Sequence, residues 1–284
     1  GHQALYSNTT DSNSAFGFQT LYSNVIGTKN TAVGEVALYN NTTGSYNSAF
    51  GHRSLFTNIS GRYNSAFGMY SMYSNTSGVE NVGIGVNALY SNKTGNYNVS
   101  IGVSNLYYNV SGNNNTAVGT AALQNNTTNN NNAFGFYSLF ANTTGHRNAA
   151  FGNNALINNT SGNYNVAMGH QTLLSNTIGN FNVAIGDESL YSNTTGNRNT
   201  AVGRATLYNN TIGSFNSAFG MYALVNNTTG VANTSIGYNT LLANTTGANN
   251  TAVGWGVGTI AWDASYIYVA TSSSVIKRVA LSTF

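Results

Sequence analysis

The chain has no cysteine and no proline, and only 5% of its 284 residues are charged. Without cysteine there are no disulfides and no thiolate metal sites. Charge is scarce in both signs: nine Lys and Arg stand against six Asp and Glu, for a net charge of +3. Only Lys277 and Arg278 are adjacent basic residues, so the clustered patch that a nucleic-acid groove needs is missing. No apolar run approaches the roughly 20 residues that span a bilayer, and no signal peptide is visible. The chain opens inside a repeat, at Gly1-His2-Gln3-Ala4-Leu5, and therefore reads as a fragment. In place of charge it carries Asn, Ser, Thr and Gly, which are residues of turns and hydrogen-bonded ladders. With 41% hydrophobic and 12% aromatic residues, it can bury a core and does not have the composition of a disordered chain.

One unit recurs through most of the chain: N-[ST]-A-[FVIM]-G-x-x-[AST]-L-[YFLV]-x-N-x-[TSI]-G-x-x. The first glycine of the unit falls at Gly17, Gly34, Gly51 and onward to Gly254, with a spacing of 17. The spacing drops to 16 between Gly119 and Gly135, where Asn129 takes the place of the second glycine, and between Gly1 and Gly17, where Asp11 does. Asn leads all fifteen units, and Leu stands four residues after each first glycine up to Gly237, with Met72 the one exchange. Seventeen residues are too few for two packed helices. The expected fold is all-β: a parallel β-solenoid of about fifteen coils over residues 1–254. Each coil would have two short strands, N-[ST]-A-Φ-G and [AST]-L-Y-x-N, and two turns. At about 4.8 Å per coil such a stack would be about 70 Å long.

In a solenoid each position stacks on its own copy. The large hydrophobe before each first glycine and the Leu column are the expected core, each side chain worth roughly 1.5–3 kcal/mol on burial. The two Asn columns are expected to form internal amide ladders. The pairs after each glycine vary freely and are expected in exposed turns. The residue after Leu is aromatic at Tyr22, Tyr39, Phe56, Tyr73, Tyr90, Tyr107, Phe140, Tyr191 and Tyr208. If Leu points inward this stripe points outward, and an apolar face of that size marks an interface. It is the candidate contact for a homotrimer, with carbohydrate binding as the alternative.

Catalytic and metal signatures do not emerge. His2, His52, His146 and His170 occupy variable positions at no ligand spacing. Asp187 and Glu188 share one turn and would point apart, unlike a glycosidase pair. Strings such as Gly83-Ile84-Gly85 lack the strand-to-helix context of a nucleotide site. The expectation is a protein that is not an enzyme and holds no cofactor. The second Asn column supplies twelve Asn-x-Ser/Thr sequons, which turn chemistry alone would generate.

From Trp255 the repeat stops. Residues 255–284 are expected to form a small β cap, with strands at Thr259–Trp262, Tyr266–Thr271 and Val275–Leu281 closing the open end of the stack. Trp255, Trp262, Tyr266 and Tyr268 are the candidate cap or tip residues, with the two tryptophans plugging the last coil or helping a tip bind a receptor.

NTAVG and NVAIG resemble the head repeats of trimeric autotransporter adhesins, whose motif is close to SVAIG. The fuller unit NTAVGxxALYSNTTGxxN, and the ending IAWDASYIYVATSSSVIKRVALSTF, are similar to repeats and closing segments of bacteriophage tail fibres and other virion proteins. The resemblance implies a left-handed, homotrimeric shaft in a virion appendage. Its C-terminal tip would face a glycan or protein receptor on a host surface, with no nucleic-acid partner and no membrane insertion. The alternative is a cellular extracellular adhesin or surface filament built from the same coils.

Overall fold

The computed structural model describes residues 1–256 in full and the backbone of residues 260–262, 266–270 and 276–280. It is an all-β parallel solenoid with a 17-residue coil, divided into two compact units, Gly1–Asn148 and Ala149–Phe284. The first unit carries β1 (Ser14–Phe16), β2 (Thr31–Val33), β3 (Ser48–Phe50), β4 (Ser65–Phe67), β5 (Val82–Ile84), β6 (Val99–Ile101), β7 (Thr116–Val118) and β8 (Asn132–Phe134). The second carries β9 (Ala149–Phe151), β10 (Val166–Met168), β11 (Val183–Ile185), β12 (Thr200–Val202), β13 (Ser217–Phe219), β14 (Thr234–Ile236) and β15 (Thr251–Val253). Within each unit consecutive strands pair in parallel with no register slip, as in Thr31↔Ser48, Ala32↔Ala49 and Val33↔Phe50. The second unit ends in an antiparallel trio, β16 (Ile260–Trp262), β17 (Tyr266–Ala270) and β18 (Ile276–Ala280). These lie within a residue or so of the expected strands.

Each coil holds one strand, not two. The expected second strand, [AST]-L-Y-x-N, is a run of turns in which the sign of φ alternates: Val36 and Leu38 both sit at φ 50°, and every Leu of the column shares this left-handed conformation. A left-handed residue costs roughly 1–2 kcal/mol. Two things offset that cost here. Leu38 is wholly buried, and its N–H donates to Ser54 O in the next coil at 3.0 Å. Val36 N–H donates to Phe18 O in the coil before at 2.9 Å, and Asn40 N–H to Phe56 O in the coil after at 3.1 Å. The arc is therefore hydrogen-bonded coil to coil, as a strand would be, without being extended.

The core also differs from expectation in one column. The Leu column is buried from Leu21 onward, but the large hydrophobe before the first glycine faces out: Phe16 is 75% exposed, Ile84 40% and Met168 43%. The strand residue inside is the small one, Ala32, Ala49, Ala66 and their equivalents, at 0% exposure. Alternation explains this. Side chains two apart share a face, and the leading Asn points in, so Ala follows it in and the hydrophobe goes out.

Both Asn columns form the expected ladders. In the second column Asn41 Nδ2 donates to Asn24 Oδ1 at 2.7 Å and Asn58 Nδ2 to Asn41 Oδ1 at 2.7 Å. In the first column Asn47 donates to Asn30 Oδ1 from both its backbone N–H (3.0 Å) and its Nδ2 (3.2 Å). The carbonyl of the second glycine ties the columns together: Gly44 O accepts from Asn30 Nδ2 at 2.8 Å and Asn41 Nδ2 at 2.9 Å. The glycine is required for this approach rather than for a left-handed turn. A Cβ on Gly44 would lie 2.3 Å from Asn41 Oδ1 and 2.4 Å from Gly61 O.

The two exceptions in the repeat have local causes. In the 16-residue coil the place of the second glycine is filled by Thr128, not Asn129: Thr128 O accepts from Asn115 and Asn126, and Thr128 Oγ1 donates to Gly145 O. Thr10 does the same in the first coil. The adjustment breaks one rung, leaving Asn109 Oδ1 buried without a hydrogen bond. Met72, the one exchange in the Leu column, faces Gly83, which replaces Ala in β5; a Cβ there would lie 3.1 Å from Met72 Cε. The longer side chain occupies the room the alanine methyl leaves.

Inserting one glycine between Thr128 and Asn129 restores Asn-Thr-Thr-Gly-x-x-Asn and should restore the missing rung. Relieving a buried orphan is worth about 1–3 kcal/mol, so the denaturation midpoint should rise. A fall would show that the short coil is already optimal.

Candidate functional site

The chemistry-bearing side chains fall on three outward surfaces. The first is the outer face of the strands, with Ser, Thr or Val in one column, save Asn132 and Ala149, and Phe, Ile, Val or Met in the next. Neither outward position of any of the fifteen strands holds a charged residue. Sequence reasoning placed the large column inside and so missed this face. The signal that could have found it is the leading Asn, whose inward direction sets the phase of the strand.

The second surface is the aromatic stripe. Tyr22, Tyr39, Phe56, Tyr73, Tyr90 and Tyr107 form one stack in the first unit, with ring centroids 4.9–5.4 Å apart and ring planes within 14° of parallel. Tyr191 and Tyr208 stack in the second unit at 4.8 Å, and Phe140 packs edge-on against Tyr137. All nine are half-buried. Inside the stack each ring covers its neighbours' faces and leaves an edge to solvent.

Crowding of phenols has an electrostatic consequence. The Tyr90 hydroxyl is pushed above its ordinary 10.0 by burial and by Tyr107, Tyr73 and Tyr70, against a smaller opposing effect of Arg53. Tyr208 is raised by burial, then by Glu188 and Tyr191. A pKa raised on folding means the folded chain holds the proton longer. This contribution is fully present below pH 10 and is lost as pH climbs through the raised values. The thermal midpoint should therefore fall above pH 10, and Tyr90→Phe should flatten the decline. An alkaline melt identical in the two proteins would contradict the stacking account.

The third surface is the pair of turns. At the first turn Glu35 and His52 approach to 3.9 Å, and Asp187 bridges His170 at 3.2 Å and Arg204 at 3.7 Å. These residues, expected as separate solvated side chains, are brought together by coil stacking. At the second turn Arg198 lies between the rings of Phe181 and Phe215, 5.7 and 5.3 Å from their centroids. A shallow cavity of about 320 Å³ opens there, lined also by Asn180, Asn197 and Ser214. Among the described residues no group of three or more His, Cys, Asp or Glu could hold a metal ion, and no helix is long and apolar enough to cross a membrane.

The sequon column proves structural. Asn41, Asn58, Asn75, Asn92 and Asn109 are wholly buried and each amide nitrogen is engaged in the ladder. A glycan on any of them requires that coil to open. Of the candidate tip residues, Trp255 is 77% exposed and meets Tyr238 edge-on at 5.6 Å, so it does not plug the last coil. The backbones of Trp262, Tyr266 and Tyr268 lie in β16 and β17, and their side chains lie outside the described residues.

Compared with family models, curated proteins and solved structures, the chain matches none of them.

Proposed function

We propose that this chain is the shaft of a phage tail fibre or similar virion appendage, a structural module that acts by self-association and surface attachment rather than by catalysis. The observation that carries the reading is how the coil uses its residues. Its buried Asn side chains are engaged in coil-to-coil ladders, while both outward columns are uncharged and one of them is a large hydrophobe in each of the fifteen strands. Such a chain extends by adding coils and presents the same surfaces at each step. Large exposed apolar surfaces on a folded chain serve contact with another body. The likeness of NTAVGxxALYSNTTGxxN to tail-fibre repeats supports the same reading and favours three chains per shaft. The trio β16–β18 would then be the tip, with Trp255, Trp262, Tyr266 and Tyr268 nearest the receptor, a glycan or protein of the host surface.

Sedimentation velocity on the full chain tests the assembly, with a species of three chains expected. Saturable binding of the labelled protein to intact bacterial cells tests attachment. A chain that sediments as a monomer at all concentrations and binds no cell surface would end this reading.

A further inference from the structure

Two apolar surfaces of the coil are available for contact between copies, the aromatic stripe and the outer face of the strands. The aromatic stripe was the surface expected from sequence. Its rings, however, already cover one another's faces within the chain at 4.9–5.4 Å. On the outer strand face Phe50 and Phe67 stack likewise at 4.9 Å, but most of that column is more exposed than the stripe, whose nine residues are all half-buried. In the first unit Phe67, Ile84 and Ile101 are 38%, 40% and 38% exposed; in the second unit Met168, Phe219 and Ile236 are 43%, 40% and 42% exposed. Each points straight out of a regular parallel sheet.

We infer that the outer strand face, not the aromatic stripe, is the surface through which copies of this chain pack against each other. Three observations favour a second copy as the occupant. The first is area. An aromatic side chain of about 150–250 Å², two-fifths exposed, offers roughly 60–100 Å², and the Ile, Val and Met of the column offer somewhat less. Seven or eight in each unit, with the half-buried Ser, Thr and Val beside them, approach the roughly 800 Å² per partner of a stable interface. The second is charge. Neither column of the face carries any, so drying it strands no ion. The charges stand on the adjoining turn, at Glu35, His52, Asp187 and Arg204, as a polar rim around an apolar centre. The third is period. The face repeats every coil in one register, so a partner must present apolar groups at the same step over many coils. Another copy of this chain does so by construction.

This inference rests on the self-association reading, and sedimentation of three full-length proteins separates the two. Ile84→Lys with Ile101→Lys places two ammonium groups on the face. Tyr73→Ser with Tyr90→Ser cuts the stripe. The face pair should weaken assembly by roughly 100-fold or more, the range for charges buried at an interface centre, while circular dichroism stays that of the parent. The stripe pair should assemble as the parent does. If the lysine pair fails to fold, Ile84→Thr with Ile101→Thr replaces it, since Thr already stands in the neighbouring column, and a smaller weakening in the same direction is expected. Folded face variants that assemble like the parent would overturn the inference and leave self-association standing. A parent that is monomeric throughout would overturn both.

Discussion

Asn58→Asp should destabilise the first unit by more than Asn58→Ala, although it changes only an amide NH₂ to an oxygen. Asn58 Nδ2 donates to Asn41 Oδ1 at 2.7 Å and Gly61 O at 3.1 Å, and Asn58 Oδ1 accepts from Asn75 Nδ2 at 2.8 Å. Alanine removes these bonds and leaves Asn41 Oδ1 and one Asn75 N–H as buried orphans. Gly61 O keeps its bond from Asn47 at 2.8 Å. At about 1–3 kcal/mol per orphan the cost is roughly 2–6 kcal/mol. Aspartate instead aims carboxylate oxygens at two acceptors, and an unpaired charge in a site with no exposure costs more than a missing polar group. Burial raises that carboxyl's pKa, so the variant should regain stability as pH falls and the acid becomes a donor. Asn40→Asp, beside the ladder residue Asn41 of the preceding coil and half-buried, is the control, expected within about 0.5 kcal/mol of the parent. Denaturant midpoints of the three variants decide the matter. Equal midpoints for Asn58→Asp and Asn40→Asp would mean that the ladder contributes nothing.

Gly68→Ala should be at least as damaging, for a reason in the backbone. Gly68 sits at φ +131°, outside the regions open to a residue with a Cβ, and an added Cβ would lie 2.6 Å from Gly85 O in the next coil. The carbonyl cannot retreat locally, because the neighbouring coils are held by the paired strands on either side and Gly85 N–H donates to Phe67 O at 2.7 Å. Relief requires coils to part. A loss above about 4 kcal/mol is expected, at the extreme of single substitutions. Gly256→Ala provides the contrast. Its φ is +62°, and nothing lies within 4 Å of the added Cβ, so only the left-handed penalty of about 1–2 kcal/mol remains. Similar effects at the two sites would show that coil contact is not the cause.

Much of the coil was legible because repetition turns sequence into geometry. The invariant Asn positions announced ladders, the 17-residue spacing announced the coil, and the break between Gly119 and Gly135 announced an irregular turn at the right place. Less legible was the arc around Leu38. Leu favours extended or right-handed backbone, and nothing local marks it for φ 50°; only hydrogen bonds to both neighbouring coils make that conformation the stable one. The role of the second glycine was hidden for a similar reason, since Gly44 is selected by the ladder beside it and not by its own dihedrals.

By itself, then, the sequence determined the period, the stacking of like on like, the Asn ladders and the buried Leu column, because each follows from a residue type repeated at one spacing. The tertiary structure decided which way the strand faces. Hydrophobicity alone would put Phe50 and Ile84 inside and Ala49 outside. An inward Asn at the head of the strand forbids that, since alternate residues share a face and the ladder requires Asn47 to point in. The ladder therefore turns the large hydrophobes outward and leaves an exposed apolar column on the surface of each unit.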